Sequence, residues 1–117
     1  MEKLFQALLS RADLFPHQAA LISDDESNKI TITNLQLLQN IASVEAFFKQ
    51  QNIKCIGLYM DNCSEWIICD LAAAKLGVTL VPIPLFFTPA QIGHLAKSSQ
   101  LDAIITKQNI FLIIIFF

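Results

Sequence analysis

The fold is decided by one stretch of the chain, CIGLYMDNCSEWIICDLAAAKLGVTLVPI, at residues 55–83. It begins with a nearly continuous apolar run, Cys55–Met60, and ends with a second one, Val78–Ile83. Apolar runs of this length are typical of parallel strands that are covered on both faces. The residues between them predict a helix, with Asn62–Ser64 as candidate caps and Gly77 as a left-handed C-terminal cap. The stretch therefore predicts a β-α-β unit.

The alternation of strand and helix continues after this unit. Thr88, Pro89 and Gln91 have the spacing of a capping box, with proline at the first helical position. Asp102–Thr106 then predicts a short last strand. Because the connections are long enough for right-handed crossovers, we expect the three strands to be parallel.

The first fifty residues predict a helix, a hairpin and a second, longer helix. Apolar residues recur at helical spacing from Leu4 to Ala12, which predicts a short amphipathic helix. Ala20–Ser23 and Ile30–Ile32 predict two short strands around a polar turn. Thr33 and Gln36 have capping-box spacing ahead of an apolar helical stripe. The predicted fold class is therefore α/β: an incomplete layer of parallel strands with crossover helices, preceded by a short helix and a small hairpin.

The end of the chain departs from this pattern, so we divide the sequence into a partial lobe, 1–106, and an apolar tail, 107–117. Residues 110–117 are IFLIIIFF, without alternation, turn signal or charge. Such a run is an aggregation hazard. A fully buried strand is one interpretation. The preferred hypothesis is a non-native tail, translated from a shifted frame or marking a premature stop, because the punctuation of helices and strands ceases at once.

Composition limits the classes of function. The 117 residues fit one domain, are 54% hydrophobic and only 15% charged, and carry a net charge of −2. A nucleic-acid partner is not expected, because it would require a basic stripe to neutralise phosphates. No apolar run approaches the ~20 residues that span a bilayer, and the first residues do not form a signal peptide. We expect a cytoplasmic protein that can self-associate or aggregate through an exposed core and tail.

Cysteines and histidines offer little chemistry. Cys55, Cys63 and Cys69 form no CxxC pair and have no histidine at metal-ligand spacing, so they predict reduced, mostly buried thiols. His17 and His94 have no carboxylate placed to orient them, which favours surface or partly buried side chains. The three glycines lie far apart, so the chain contains no glycine-rich phosphate loop.

One short segment is the best candidate for a ligand-facing edge. Asp61, Asn62 and Cys63 follow a predicted parallel strand, and ligands bind beyond the carboxyl ends of such strands in open α/β sheets. Helix capping is the competing interpretation and the favoured one.

The remaining acidic and aromatic candidates have simple structural interpretations. Asp24–Glu26 are interpreted as a solvated turn, Glu65 as a favourable charge at a helix N-terminus, and Trp66 as a core side chain. The sequence thus assigns no catalytic, cofactor-binding or metal-ligating residue.

Five segments taken in order resemble those of adenylate-forming ligases, the AMP-binding enzyme family that includes AMP-forming acyl-CoA synthetases. They are FPHQAALI at 15–22, TITNL at 31–35, NCSEW at 62–66, VTLVPIP at 78–84 and TPAQI at 88–92. The corresponding family segments are a hydrophobic residue and proline followed by PALI, then TYSEL, NSPEW, VxVPL and TPAEL. The resemblance covers 15–106, with mild departures at Asn34, Ser64 and Gln91.

The resemblance implies a two-step reaction in full-length members. ATP and a carboxylic acid give an acyl-adenylate and pyrophosphate, and a thiol of coenzyme A or of a carrier protein then takes the acyl group. The family's phosphate loop ending in Pro-Lys-Gly, its ribose-binding acid and its lid lysine have no counterpart here. ATP, magnesium and coenzyme A are therefore implied for the full-length family and none is assigned to this chain.

The resulting interpretation is the N-terminal scaffold of a carboxylic-acid ligase, inactive alone. A fatty-acyl substrate is suggested by the resemblance of Pro84–Phe87 to fatty-acyl members. Two alternatives stay open: a small independent α/β binding or interaction module, and one half of a split enzyme.

Overall fold

The computed structural model describes residues 2–25, 28–107 and 111–115. Its elements follow the predicted order of helix, hairpin, long helix and alternating strands and helices. They are α1 (Glu2–Leu14), β1 (Ala19–Asp25), β2 (Asn28–Thr33), α2 (Asn34–Gln50), β3 (Cys55–Tyr59), α3 (Ser64–Leu76), β4 (Thr79–Pro82), α4 (Pro89–Ser98), β5 (Ala103–Lys107) and β6 (Phe111–Ile115). The α/β fold class is confirmed.

The strands form two sheets. β1 and β2 pair antiparallel as a hairpin, and the other strands form a sheet in the order β4-β3-β5-β6. β4, β3 and β5 are parallel, as predicted.

The apolar tail contributes the fourth strand of the larger sheet. β6 runs antiparallel to β5, with Ala103 opposite Ile115 and Lys107 opposite Phe111. Residues 108–110 and 116–117 lie outside the described part of the chain. A non-native origin of 107–117 stays a prediction, since a strand there has no bearing on how the sequence arose.

Both predicted capping boxes are present. The Thr33 hydroxyl accepts a hydrogen bond from the Gln36 backbone N–H at 3.1 Å, and the Gln36 side chain accepts from the Thr33 N–H at 3.0 Å. Thr88 and Gln91 repeat this exchange at 3.3 and 2.8 Å. Each cap satisfies N–H groups that a helix cannot pair internally, and contributes about 1 kcal/mol. Gly77 ends α3 with a φ of 73°, the left-handed cap that its position predicted.

Helices cover both faces of the parallel strands. α2 and α3 bury the larger cluster, whose most enclosed members are Phe48, Ile41, Ile56, Leu58, Ile105 and Cys69. α4 covers a smaller cluster built on Ile83, Leu101 and Ile104. Gly57 faces this second cluster, and a Cβ added there would lie 2.8 Å from the Cδ1 atoms of both Ile83 and Leu101.

One aspartate ties the starts of two strands together. The Asp102 carboxylate accepts the backbone N–H groups of Lys54 at 2.8 Å and Cys55 at 3.0 Å. The Asp102 N–H in turn donates to the Cys55 carbonyl at 2.8 Å. These bonds join β3 to β5 where both strands begin.

An ion pair links α2 to α3 beside the first helix. Lys75 Nζ lies 3.0 Å from Oε1 of Glu45, whose side chain is only 11% exposed. The contact is an ion pair rather than a directed hydrogen bond, since that oxygen has no hydrogen-bond partner. Lys75 Nζ also lies 5.8 Å from the centre of the Phe5 ring in α1.

No helix within the described ranges combines the length and apolar character needed to cross a bilayer.

Candidate ligand-facing edge of the sheet

The carboxyl ends of β3 and β4 lie side by side because the two strands are parallel. Met60 is buried beyond β3, and the exposed Asp61 and Asn62 follow it. Beyond β4 the chain continues through the buried Ile83 to Leu85. In open α/β sheets ligands bind at this edge, so these residues define the candidate site.

An open groove of about 260 Å³ lies at this edge. Met60, Asp61, Asn62 and Trp66 form one side of it, and 82–85 form the other. Tyr59 fixes the second side, because its hydroxyl donates a hydrogen bond to the Leu85 carbonyl at 3.0 Å. The Tyr59–Leu85 bond was not predicted, since nothing in the sequence pairs residues that far apart.

A second groove, of about 300 Å³, lies between the hairpin and the start of α3. Ile22 from β1 and Ile67 from α3 give it an apolar lining, and Trp66 and Asn62 line both grooves. The Ser23 and Ser64 hydroxyl oxygens lie 3.4 Å apart across it. The hairpin is therefore anchored at the N-terminus of α3.

The favoured capping interpretation holds for the position of Cys63 but not for a capping side chain. Cys63 is the N-cap of α3, but its side chain makes no capping hydrogen bond. Its sulfur lies instead 3.7 Å from the Met60 sulfur. Asp61 and Asn62 precede the cap and line the groove. The competing interpretation, a ligand-facing edge at these two residues, stays a prediction.

Trp66 and Glu65 fit their structural interpretations. Trp66 is partly buried and packs against the larger apolar cluster while bordering both grooves. Glu65 lies in the first turn of α3, as predicted.

The other candidates from the sequence lie away from the groove, or their side chains lie outside the described residues. His17 and His94 are exposed, as expected. The predicted turn at Asp24–Glu26 begins too early, because Asp24 and Asp25 belong to β1 and pair with Lys29 and Asn28. Their side chains, and all of Glu26, lie outside the described residues.

The three thiols were predicted to be mostly buried, but only Cys69 is buried, whereas Cys55 and Cys63 are partly buried. Burial raises the pKa of the Cys69 thiol from 9.0 to about 12, with smaller contributions from nearby acidic groups. Burial also raises the pKa of Cys55, and the Asp102 charge adds to the effect. A raised pKa keeps a thiol protonated, so neither residue has the thiolate character of a nucleophile. Across the described ranges, no group of three or more histidine, cysteine or acidic side chains could hold a metal ion.

The groove can contact a ligand, but its residues supply no chemistry. Asp61 is its only charged lining residue among those described, and no histidine, lysine or arginine borders it. The arrangement therefore offers an apolar wall, one carboxylate and one amide.

Comparison with known proteins places the chain among larger enzymes. A family model described as AMP-binding enzyme matches residues 8–113. The crotonobetaine/carnitine–CoA ligase of Escherichia coli O17:K52:H18 is 28% identical over 104 residues, which cover 86% of this chain and 20% of that protein. The chain thus spans about a fifth of the length of the curated relatives it matches.

Solved structures agree on the fold. The coronafacic acid ligase of Pectobacterium brasiliense is 26% identical with a TM-score of 0.74, over 89% of this chain and 21% of that one. A Mycobacterium tuberculosis fatty acyl CoA synthetase is 22% identical with a TM-score of 0.72, over 85% of this chain and 20% of that one. The second likeness concerns the fold alone.

Proposed function

Because the chain belongs to the AMP-binding enzyme family, we propose that it is the N-terminal scaffold of an AMP-forming ligase. The complete enzyme would use ATP to join a carboxylic acid to the thiol of coenzyme A or of a carrier protein. The observation that carries the proposal is the family match over residues 8–113, which spans both helix-covered faces of the sheet. The scaffold contributes the strands and helices that support a site completed by other segments.

The groove at the sheet edge does not fit the nucleotide or coenzyme A of this reaction. A triphosphate needs converging backbone N–H groups or cationic side chains. The described lining supplies neither a glycine nor a lysine or arginine, and it includes the Asp61 carboxylate, which repels phosphate. We therefore propose that the chain is inactive alone.

The acyl group of the parent reaction is proposed to be a fatty acid. The support is the resemblance of Pro84–Phe87 to fatty-acyl members, together with the position of Leu85 at the groove. Phe86, 80% exposed, presents an apolar surface beside it. A cytoplasmic location belongs to the same proposal, in keeping with three cysteines that form no disulfide with one another.

Pyrophosphate exchange tests whether the chain is inactive alone. The purified chain would be incubated with ATP, labelled pyrophosphate and a series of fatty acids, beside the Escherichia coli crotonobetaine/carnitine–CoA ligase with its own substrate as positive control. We expect exchange no faster than the protein-free background. Exchange that depends on both the chain and an acid would contradict the inactive scaffold.

Complementation tests the scaffold role itself. The chain would be co-expressed with a related ligase from which the matching portion has been removed. Recovery of exchange would support the scaffold and also the split-enzyme alternative. Phe48→Asp is the matched control, because it places a charge at a side chain that is 1% exposed and should abolish recovery.

Sequencing of the coding DNA separates a shifted frame from a native tail. The sequence past codon 106 would be translated in all three forward frames. Continuation of another frame into a loop ending in Pro-Lys-Gly would support a non-native tail at 107–117. A single open frame through the tail would favour the independent module or the split enzyme.

A further inference from the structure

The two outer edges of the larger sheet differ in the backbone groups they present. At the start of β4 the Thr79 N–H donates to the carbonyl of Lys54, which precedes β3, at 2.9 Å, and just beyond β4 the Ile83 N–H donates to the Leu58 carbonyl of β3 at 2.9 Å. Since backbone groups alternate in direction along a strand, the backbone groups of Leu80 and Pro82 point outward, away from β3. Pro82 has no N–H, so this edge offers a single donor. It is a blunted edge that cannot readily accept another strand.

Within the part of the chain that the structure describes, the β6 edge has no such protection. The Asp102 N–H donates to β3, so the next residue, Ala103, directs its backbone groups to β6. Ala103 lies opposite Ile115, and Ile105 lies opposite Ile113. By alternation, Leu112 and Ile114 present both their N–H and their C=O groups outward. No proline, glycine or charged residue interrupts this strand, FLIII.

We propose that the β6 edge is a self-association surface, on which a second copy of this chain pairs its own β6 antiparallel. With a two-fold axis at Ile113, Leu112 of each copy lies opposite Ile114 of the other. Residues in such a pair exchange both of their hydrogen bonds, so all the outward groups of the strand are satisfied at once.

The sequence of β6 favours a second copy over a different partner. The strand carries no charge, so pairing it with itself opposes no like charges. The net charge of −2 adds little repulsion between copies. Because the pairing uses both β6 edges and leaves the blunted β4 edges outside, it closes at two copies instead of growing into a fibre. This inference does not depend on the ligase assignment.

Light scattering after gel filtration tests the proposal on the 117-residue chain over a range of concentrations. We expect the mass to rise from 13.1 kDa to twice that value and no further. Ile114→Pro removes an outward N–H while leaving the N–H groups that face β5, so we expect the dissociation constant to rise by at least about tenfold. Phe86→Lys is the matched control, because it removes an 80% exposed apolar side chain elsewhere and should leave association unchanged.

Two further measurements keep the test decisive if Ile114→Pro disturbs folding. Ile114→Lys keeps the N–H but brings like charges together across the axis, and should also weaken association. In the unmodified chain, hydrogen exchange at the Leu112 and Ile114 amides should slow as concentration rises. The proposal is overturned by a monomer at every concentration, by association that survives both Ile114 variants, by loss of association in Phe86→Lys, or by aggregates that grow without limit.

Discussion

Replacing Gly57 by alanine should destabilise the protein by crowding the apolar cluster beneath α4. Gly57 is buried in β3 and faces the cluster beneath α4. An alanine Cβ would lie 2.8 Å from both Ile83 Cδ1 and Leu101 Cδ1, and 3.3 Å from Ile104 Cγ1. Carbon atoms in favourable contact are about 3.5–4.0 Å apart. Two side-chain ends must therefore move by about 0.7 Å or more within a packed cluster.

The size of the effect follows from two opposing contributions. Overpacking of a well-packed core costs about 1–3 kcal/mol. Alanine also restricts the unfolded chain and suits a strand better than glycine, which returns about 0.5–1 kcal/mol. The two ranges leave a net loss between about 0 and 2.5 kcal/mol, and because two side-chain ends are crowded at once we expect Gly57→Ala to lower the free energy of unfolding by about 1 kcal/mol. Gly93 is the matched control, because it is exposed in α4 with nothing within 4 Å of an added Cβ. Gly93→Ala should raise stability by about 0.5–1 kcal/mol.

Urea unfolding followed by circular dichroism measures both variants. Ile83→Val removes the Cδ1 atom that Gly57→Ala would crowd, so the double variant should be more stable than the sum of the single effects by at least about 0.5 kcal/mol. The packing argument is refuted if Gly57→Ala is as stable as the unmodified chain. It is also refuted if the effects of Gly57→Ala and Ile83→Val simply add.

Three other substitutions probe features of the fold. Lys75→Met leaves the buried Glu45 carboxylate without its cation. It should lower the free energy of unfolding in urea by only about 1 kcal/mol, because half of the lysine side chain is exposed and its charge is screened. Adding Glu45→Gln should recover most of the lost stability. Burial raises the pKa of the Cys69 thiol, and the stability linked to its protonated form is fully present below pH 9.0. As the pH rises toward about 12, the free energy of unfolding should fall by up to about 1.4 kcal/mol per pH unit. Cys69→Ala should show a shallower pH dependence. Thr33→Ala removes a capping box and should cost about 1 kcal/mol in thermal or urea unfolding, whereas Thr31→Ala, on the exposed strand, should cost much less.

Each of these expectations has a contrary result. An unchanged stability of Lys75→Met would mean that solvent already screens Glu45 fully. Parallel pH profiles for Cys69→Ala and the unmodified chain would assign the alkaline loss to other groups. Equal losses for Thr33→Ala and Thr31→Ala would remove the special role of the cap.

Local patterns in the sequence predicted most of the fold. The continuous apolar runs of β3 and β4 identified parallel strands because both of their faces are covered. Thr33 and Thr88 identified helix starts because a capping box is complete within four residues. Gly77 was predictable because a left-handed cap favours glycine.

Contacts between distant segments were not predictable in this way. Asp102 bonds the start of β3, and Tyr59 holds the Leu85 carbonyl, yet neither residue carries a local signal of its partner. At the candidate edge, the apolar pattern placed Asp61 just beyond a strand, but it could not decide whether the residue caps a helix or faces a ligand. The buried Glu45 lies in a helix whose sequence gives no reason to enclose a carboxylate, and its cation comes from α3.

The Asp102 bonds also have a consequence for synthesis on the ribosome. β3 lies at the centre of the parallel strands, but β5, its partner on one side, begins only at Ala103. At about 5–20 residues per second, translation of the chain from Tyr59 to Ala103 takes roughly 2–9 s. During that time one side of a buried apolar strand has no partner. Once Asp102, immediately ahead of β5, has been synthesised, its carboxylate can accept hydrogen bonds from the two backbone N–H groups at the start of β3. These bonds fix the position at which β5 pairs with β3.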